Sequence, residues 1–505
     1  MVNMTTFYTS LLNSNAAQLL CVSLLLLLVL YVSLTWTPSP FKLPPGPIPL
    51  PIIGNLHILN LKQLDESLIK LSEKYGNVFT IQLGPRKAIV LVGYDVVQDA
   101  LVNHAEAFGE RAKEPMFECT SRGKGIIFGH GESWKTMRRF ALSTMRDFGM
   151  GKKNIEDRIH QEAQMLIRYF ESHKGQPFCP KGIMNRCTAN VICSIVLGKR
   201  FDYEDPAFIK LTRQVTEGVE NLITPLLMLY NFFPKLGFLL GAHKTVMRIV
   251  KEQEEYFSEF IKSSRQTMDE NDIRSFVDAF MLKQQEENKK THTYFTDENL
   301  LVSTWNLFGA GTETSSTTLL WAFLLMMKYP EIQKKVQEEI DEVVGSERLP
   351  KLEDKVNLPY CDAVIHETQR FGNITPLPVG RATTYDTHFR GYFIPKDTNV
   401  LPVLTSVLYD KTQWETPYRF TPSHFLDANG KFVKRAAFIP FLAGRRSCLG
   451  GSLAKAELFL FFTAVMQKFT FCPSPGVTSE DLELLPEVGV TLCPKPYLLC
   501  AVPRK

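Results

Sequence analysis

Residues 441–450 read Phe-Leu-Ala-Gly-Arg-Arg-Ser-Cys-Leu-Gly. Cys448 stands immediately before a long apolar stretch, 449–469, whose periodicity predicts a helix. Backbone N–H groups and the helix dipole at such a start favour a thiolate. Gly444 and Gly450 permit sharp turns and the close approach of a flat partner. Arg446 places a cation two residues from the sulfur. The other nine of the ten cysteines are scattered, with no Cys-x-x-Cys pair, so zinc knuckles and thioredoxin-type motifs have no support. A lone thiolate is a poor zinc site. It does suit haem iron, where it donates electron density toward O–O cleavage.

Working outward, residues 297–328 carry the pattern of one buried helix. Thr296 suits the N-cap, Asp297 and Glu298 suit the positive end of the dipole, and Pro330 ends it. About thirty residues at 1.5 Å each give a rod of roughly 45 Å, enough to cross a domain. Its centre reads Gly309-Ala310-Gly311-Thr312-Glu313-Thr314-Ser315. Two glycines, an acid and several hydroxyls are unfavourable inside a buried helix, and such local violations mark a functional site. Periodicity predicts further helices over 134–147, 155–170, 243–264 and 331–344. A hairpin broken at Gly84-Pro85 is predicted over 78–92, and strand-like pieces return at 389–404 and 489–502. The body, 52–505, is therefore read as a single large domain, mainly α with small β-sheets.

No charged residue or histidine precedes Lys42, and residues 16–36 are nearly all apolar. About twenty such residues span a bilayer as a helix, so residues 1–36 are expected to be a retained signal-anchor transmembrane segment rather than a cleaved signal peptide. Residues 37–51 hold seven prolines and are expected to form a stiff hinge. The 505-residue chain is 45% hydrophobic and 22% charged, which excludes disorder and a disulfide-stapled scaffold. With 57 basic and 53 acidic residues, the net charge of +4 is too mild for a nucleic-acid partner. Asn373-Ile374-Thr375 is a glycosylation sequon that a cytosolic body would leave bare.

Taken together, the motifs resemble the cytochrome P-450 superfamily. They are Phe441-x-x-Gly444-x-Arg446-x-Cys448-x-Gly450, Glu367-Thr-Gln-Arg370, Arg419 in Pro417-Tyr-Arg-Phe420, Ala310-Gly311-Thr312-Glu313-Thr314, Trp134-x-x-x-Arg138 and the Pro-Pro-Gly-Pro of 44–47. The texture is that of the vertebrate microsomal family-two enzymes, most like a fish subfamily. Leu442 departs from the pattern, which has a small or polar residue there.

The resemblance implies a cytochrome P-450 fold, with one haem domain behind the anchor. It implies Cys448 as ligand of haem b iron, with O2 and NADPH-derived electrons as co-substrates. Arg111, Trp134, Arg138, Arg381 and Arg446 match the residues that contact the haem propionates. Glu367, Arg370 and Arg419 are expected to form a buried structural network. Thr314 and Glu313 are the expected catalytic residues: Thr314 orients a water, and Glu313 relays protons. By position, Phe128, Ala310, Val379 and Val490 resemble residues of an apolar substrate pocket. Lys135, Arg139, Lys431, Lys434, Arg435 and Arg445 would steer an acidic redox partner. The implied partner is an NADPH-dependent flavoprotein reductase, with cytochrome b5 as a second donor. The implied activity is monooxygenation of lipophilic substrates: fatty acids such as arachidonate, steroids or xenobiotics. The implied location is the endoplasmic reticulum membrane, with the catalytic domain cytosolic. A hydroperoxide isomerase or dehydratase on the same fold, and a non-catalytic haem-binding sensor, are the competing functions.

Overall fold

Thr296 caps the long helix as its side chain predicts, accepting a hydrogen bond from the amide of Asn299, and the helix runs unbroken over Asp297–Lys328. The computed structural model describes residues 18–23, 25, 26, 42–148, 153–289, 291–487 and 489–504. Helices α1 (Pro115–Ser121), α2 (Gly131–Asp147), α3 (Lys181–Val196), α4 (Pro206–Asn221), α5 (Asp297–Lys328), α6 (Pro359–Gly372) and α7 (Gly451–Lys468) frame the site. Central α5 is nearly all buried. It lies closely against α3: Thr188 donates to the carbonyl of Thr312 at 2.8 Å. A Cβ on Gly311 would sit 2.9 Å from Ile192, so this glycine is required by helix–helix approach rather than by a weakened helix.

The main sheet comprises β1 (Val78–Leu83), β2 (Arg86–Leu91), β3 (Glu110–Arg111), β4 (Arg381–Ala382) and β7 (Asn399–Pro402), in the order β1-β2-β7-β4-β3. β1 and β2 form the expected hairpin, and only the β2–β7 pair is parallel. β5 (Thr387–Phe389) pairs with β6 (Tyr392–Ile394), and β8 (Phe469–Cys472) with β9 (Cys500–Pro503). Strand structure predicted from 489 onward is confined to β9, because Pro494 and Pro496 cannot donate to a ladder.

The described part of the proline-rich segment is held to the body by hydrogen bonds. Thr80 donates from its amide to Pro45 and from its hydroxyl to Pro44, and Asn55 holds the carbonyls of Pro47 and Ile48. Residues 18–23, 25 and 26 are helical; the rest of the expected anchor and residues 37–41 lie outside the described residues. Among the described residues no helix is long and apolar enough to cross a membrane.

The expected Glu367–Arg370 pair is present and fully buried at 2.7 Å, but its third member is corrected. The Arg419 side chain is exposed, and only its carbonyl accepts from Arg370. His424, 2% exposed, takes that place at 3.2 Å from Glu367. His424 sits buried within the turn over Pro422–Phe425, whereas Arg419, ahead of that turn, has its side chain in solvent. Carbonyls of Leu408 and Pro417 complete the Arg370 guanidinium.

Candidate active site

The loop before α7 is folded by its own backbone. The amide of Cys448 donates to Phe441, and that of Ser447 to Gly444. Gly444 has φ +75°, and a Cβ there would lie 1.8 Å from the Leu101 carbonyl, so no other residue fits. Leu442, the departure from the family pattern, has φ +55°, a conformation that costs a non-glycine residue about 1 kcal/mol or more. It packs on the apolar cluster around Leu101, Phe389 and Trp414.

Cys448 opens onto a cavity of about 300 Å³. Burial pushes the Cys448 pKa up, while the amides of Gly450 and Gly451 and the charge of Arg138 pull it down. Across the cavity lie Ala310, Gly311, Thr314 and Ser315 of α5. Ile126, Ile127, Leu307, Ile374 and Val379 give it an apolar lining. Gly450 lines it too, with no protein atom within 4 Å of an added Cβ.

Four guanidiniums gather at one edge. Arg446 stacks 3.4 Å from the Trp134 ring centroid, Arg138 binds the Ser447 carbonyl at 2.8 Å, and Arg111 bridges the carbonyls of Ile127 and Val379. Burial, then the charges of Arg111 and Arg138, bring the pKa of Arg446 down to about 8. Burial and Arg138 lower Arg111 to about 10, and burial with the other three arginines depresses Arg381. Among the described residues, Glu110 is the only carboxylate in an ion pair with any of the four. Buried Arg381 Nε and Nη2, Arg446 Nη1 and Trp134 Nε1 have no hydrogen-bond partner. Concentrated positive charge with unspent donors, beside a cavity with a thiol in its floor, fits a flat group carrying two carboxylates and a thiophilic metal.

Thr314 donates to the Ala310 carbonyl at 2.8 Å within an unbroken helix. Glu313 is buried and turned elsewhere. It accepts from Thr216 of α4 at 2.9 Å, burial raises its pKa, and it is not among the cavity-lining residues. Of the expected pocket residues, Ala310 and Val379 line the cavity. Phe128 stacks on Phe117 at 4.1 Å, and neither it nor Val490 is among the lining residues.

Sequence reasoning missed the parts played by Glu457, Ser315, Asn306 and Glu110, reading Ser315 only as one of several hydroxyls. Ser315 donates to Glu457 at 2.5 Å, and the other carboxylate oxygen of Glu457 has no partner. Burial pushes the pKa of Glu457 up to about 8, so it is neutral at physiological pH. Asn306 accepts from the amides of Ile126 and Ile127 and so fixes that wall of the cavity. Polar residues inside otherwise apolar helices were the available signal for the first three.

A mainly helical domain with a cysteine loop facing the middle of a long buried helix across an apolar cavity defines the class as a haem-thiolate enzyme. A cytochrome P450 family model matches residues 44–501, and the chain belongs to that family. It is 48% identical to "Cytochrome P450 2K4" of Oncorhynchus mykiss over 98% of this chain and 99% of that protein. It is 47% identical to "Cytochrome P450 2K1" of the same organism over 98% of each, and 46% to "Cytochrome P450 2B12" of Rattus norvegicus over 90% of this chain and 92% of that one. The enzyme is a cytochrome P450 monooxygenase of the family-two type, using haem iron with a cysteine thiolate ligand, O2 and NADPH-derived electrons.

Proposed function

We propose that this monooxygenase acts on lipophilic substrates held against the apolar wall of Ile126, Ile127, Leu307, Ala310 and Val379. In this reading Cys448 ligates the iron, and Arg111, Arg138, Arg381, Arg446 and Trp134 hold the two propionates. The observation that carries it is the juxtaposition of a lone cavity thiol, the arginine cluster with unspent donors and the Thr314 turn. Bound haem supplies oxygen activation; the protein's part is to orient, to exclude water and to deliver protons. Thr314 presents a hydroxyl to the cavity, and Glu313, outside it and bound by Thr216, relays protons toward it. Fatty acids such as arachidonate, steroids and xenobiotics all match the lining.

Electrons come in this reading from an NADPH-dependent flavoprotein reductase, with cytochrome b5 as a second donor. Arg139, Lys431 and Lys434 are exposed cations, whereas Lys135, Arg435 and Arg445 pair with Glu132, Glu415 and Glu106. Residues 1–36 anchor the enzyme in the endoplasmic reticulum membrane, residues 37–51 form the hinge, and the haem domain, 52–505, faces the cytosol. Exposed Ile48, Ile52, Phe238 and Leu239 support membrane contact, and Gly84, beside Phe232 and Phe233, brings the two segments to one side.

The test is turnover with reductase and NADPH over the three substrate classes, read by mass spectrometry, beside the ferrous carbon-monoxide spectrum. Cys448→His is expected to lose the red-shifted thiolate band. A variant that keeps the band would assign the ligand to another cysteine.

A further inference from the structure

His130 precedes α2 and lies between two carboxylates. Its Nδ1 is 3.0 Å from Glu110 Oε1, and its Nε2 is 2.7 Å from Glu118 Oε1. Neither carboxylate can donate when ionised, so only the doubly protonated ring satisfies both contacts. The same Glu110 Oε1 accepts from Arg446 Nη2 at 3.0 Å and from the amide of Arg111 at 2.9 Å. One oxygen thus joins the imidazole to the buried arginine cluster, while Glu118, half-buried on α1, reaches toward solvent.

We propose that Glu118, His130 and Glu110 form a proton-linked relay that sets the charge left on Arg446, and through it the reduction potential of the haem. The relay rests on the anchoring role of the arginine cluster proposed above. With His130 protonated, Glu110 divides its charge between imidazolium and guanidinium. When His130 releases its proton through Glu118 to solvent, the Glu110 charge falls on Arg446 alone, and the cluster becomes one unit more negative. A more negative surrounding favours ferric over ferrous iron, so the potential falls as pH rises.

The ionisation of the groups agrees with this arrangement. The charged groups that reach His130 are Glu110, from β3, and Glu118, from α1. The hydrogen bond to Glu110, then that to Glu118, raise the His130 pKa above 6.5 despite burial. Burial opposes ionisation of Glu110, but His130, the amides of Arg111 and Gly131 and the charge of Arg446 hold its pKa at about 2. Glu110 is therefore an anion throughout the range in which His130 titrates.

The experiment is anaerobic potentiometry of the haem-loaded enzyme between about pH 5.5 and 9, bracketing the ordinary imidazole range, with haem content measured alongside. The wild type is expected to show a potential that falls through the His130 titration. H130N is expected to flatten that step, and E118Q to move it to lower pH, because one of the two carboxylates no longer holds the proton. Unchanged pH dependence in H130N overturns the relay. Should H130N fail to fold, E118Q decides: a step that does not move is equally fatal. R446K separates the two readings. If it alters neither haem content nor potential, the anchoring role fails; if it shifts the potential while H130N leaves the pH dependence intact, the relay alone fails.

Discussion

Thr314 shows how little a single residue needs in order to matter. Its hydroxyl bonds back to Ala310 and also lines the cavity, so removing it orphans no buried donor and opens little space. Thr314→Ala is therefore expected to fold and bind haem normally, with a stability change within about 1 kcal/mol. What it loses is a hydroxyl that orients water beside the substrate. NADPH consumption should continue while product per NADPH falls and peroxide is released; Thr314→Ser should recover coupling. Measuring all three quantities together checks it, and full coupling in the alanine variant would leave Thr314 with a packing role only. Glu313 was legible as an unusual acid in a buried helix, but not its direction. The partner that turns it, Thr216, lies 97 residues upstream on α4.

At the scale of elements, the packing of α5 against α7 creates a buried acid that neither helix shows by itself. Glu457 reads as one acid in an apolar helix, and its neighbour Ser315 as one of several hydroxyls. Brought together at 2.5 Å and sealed from water, the carboxyl is held up at about 8 against an ordinary 4.5. Below about 4.5 the group is neutral in folded and unfolded chains alike. Between 4.5 and 8 the unfolded chain releases the proton and the folded one keeps it, so stability falls as pH rises through that window. At about 1.4 kcal/mol per unit, the cost is on the order of a few kcal/mol. Glu457→Gln is expected to remove this slope and to melt higher than wild type at pH 8, with little difference at pH 4.5. Melting temperatures of the holoenzymes at the two values test it; parallel pH profiles would show that Glu457 ionises freely.

For the whole molecule, the Glu367–Arg370–His424 network ties α6 to the segment that precedes the cysteine loop. Arg370 serves Glu367 and three carbonyls while fully buried. Arg370→Lys keeps the charge but cannot reproduce the planar fork, leaving several buried groups unpaired. It should cost several kcal/mol and sharply reduce recovery of haem-loaded protein. Arg419→Ala should change stability by no more than about 0.5 kcal/mol, because only the Arg419 backbone takes part. Expression yield, haem content and thermal melts of the two variants give the contrast. Equal damage from both would restore Arg419 to the network.

The sequence by itself determined the class of fold, the long central helix with its cap, the hairpin and the position of the thiol. These rest on short-range rules: periodicity, capping, turn residues and motif spacing. Tertiary structure alone decided which polar residues meet. His424 rather than Arg419 completes the network because the folded chain buries the His424 ring against Glu367 and leaves the Arg419 side chain in solvent. Gly311 is a contact glycine because Ile192 of α3 presses on it. Asn373, a glycosylation sequon on paper, is buried and donates to Thr405, so the folded body leaves no room for a glycan there. Glu110 and His130, 20 residues apart and unremarked in sequence, share one oxygen with Arg446, more than 300 residues away. Spacing along a chain constrains neighbours within a helix or turn. Charge pairing, burial and the pKa values that follow depend on distances between elements, which only the packed core sets.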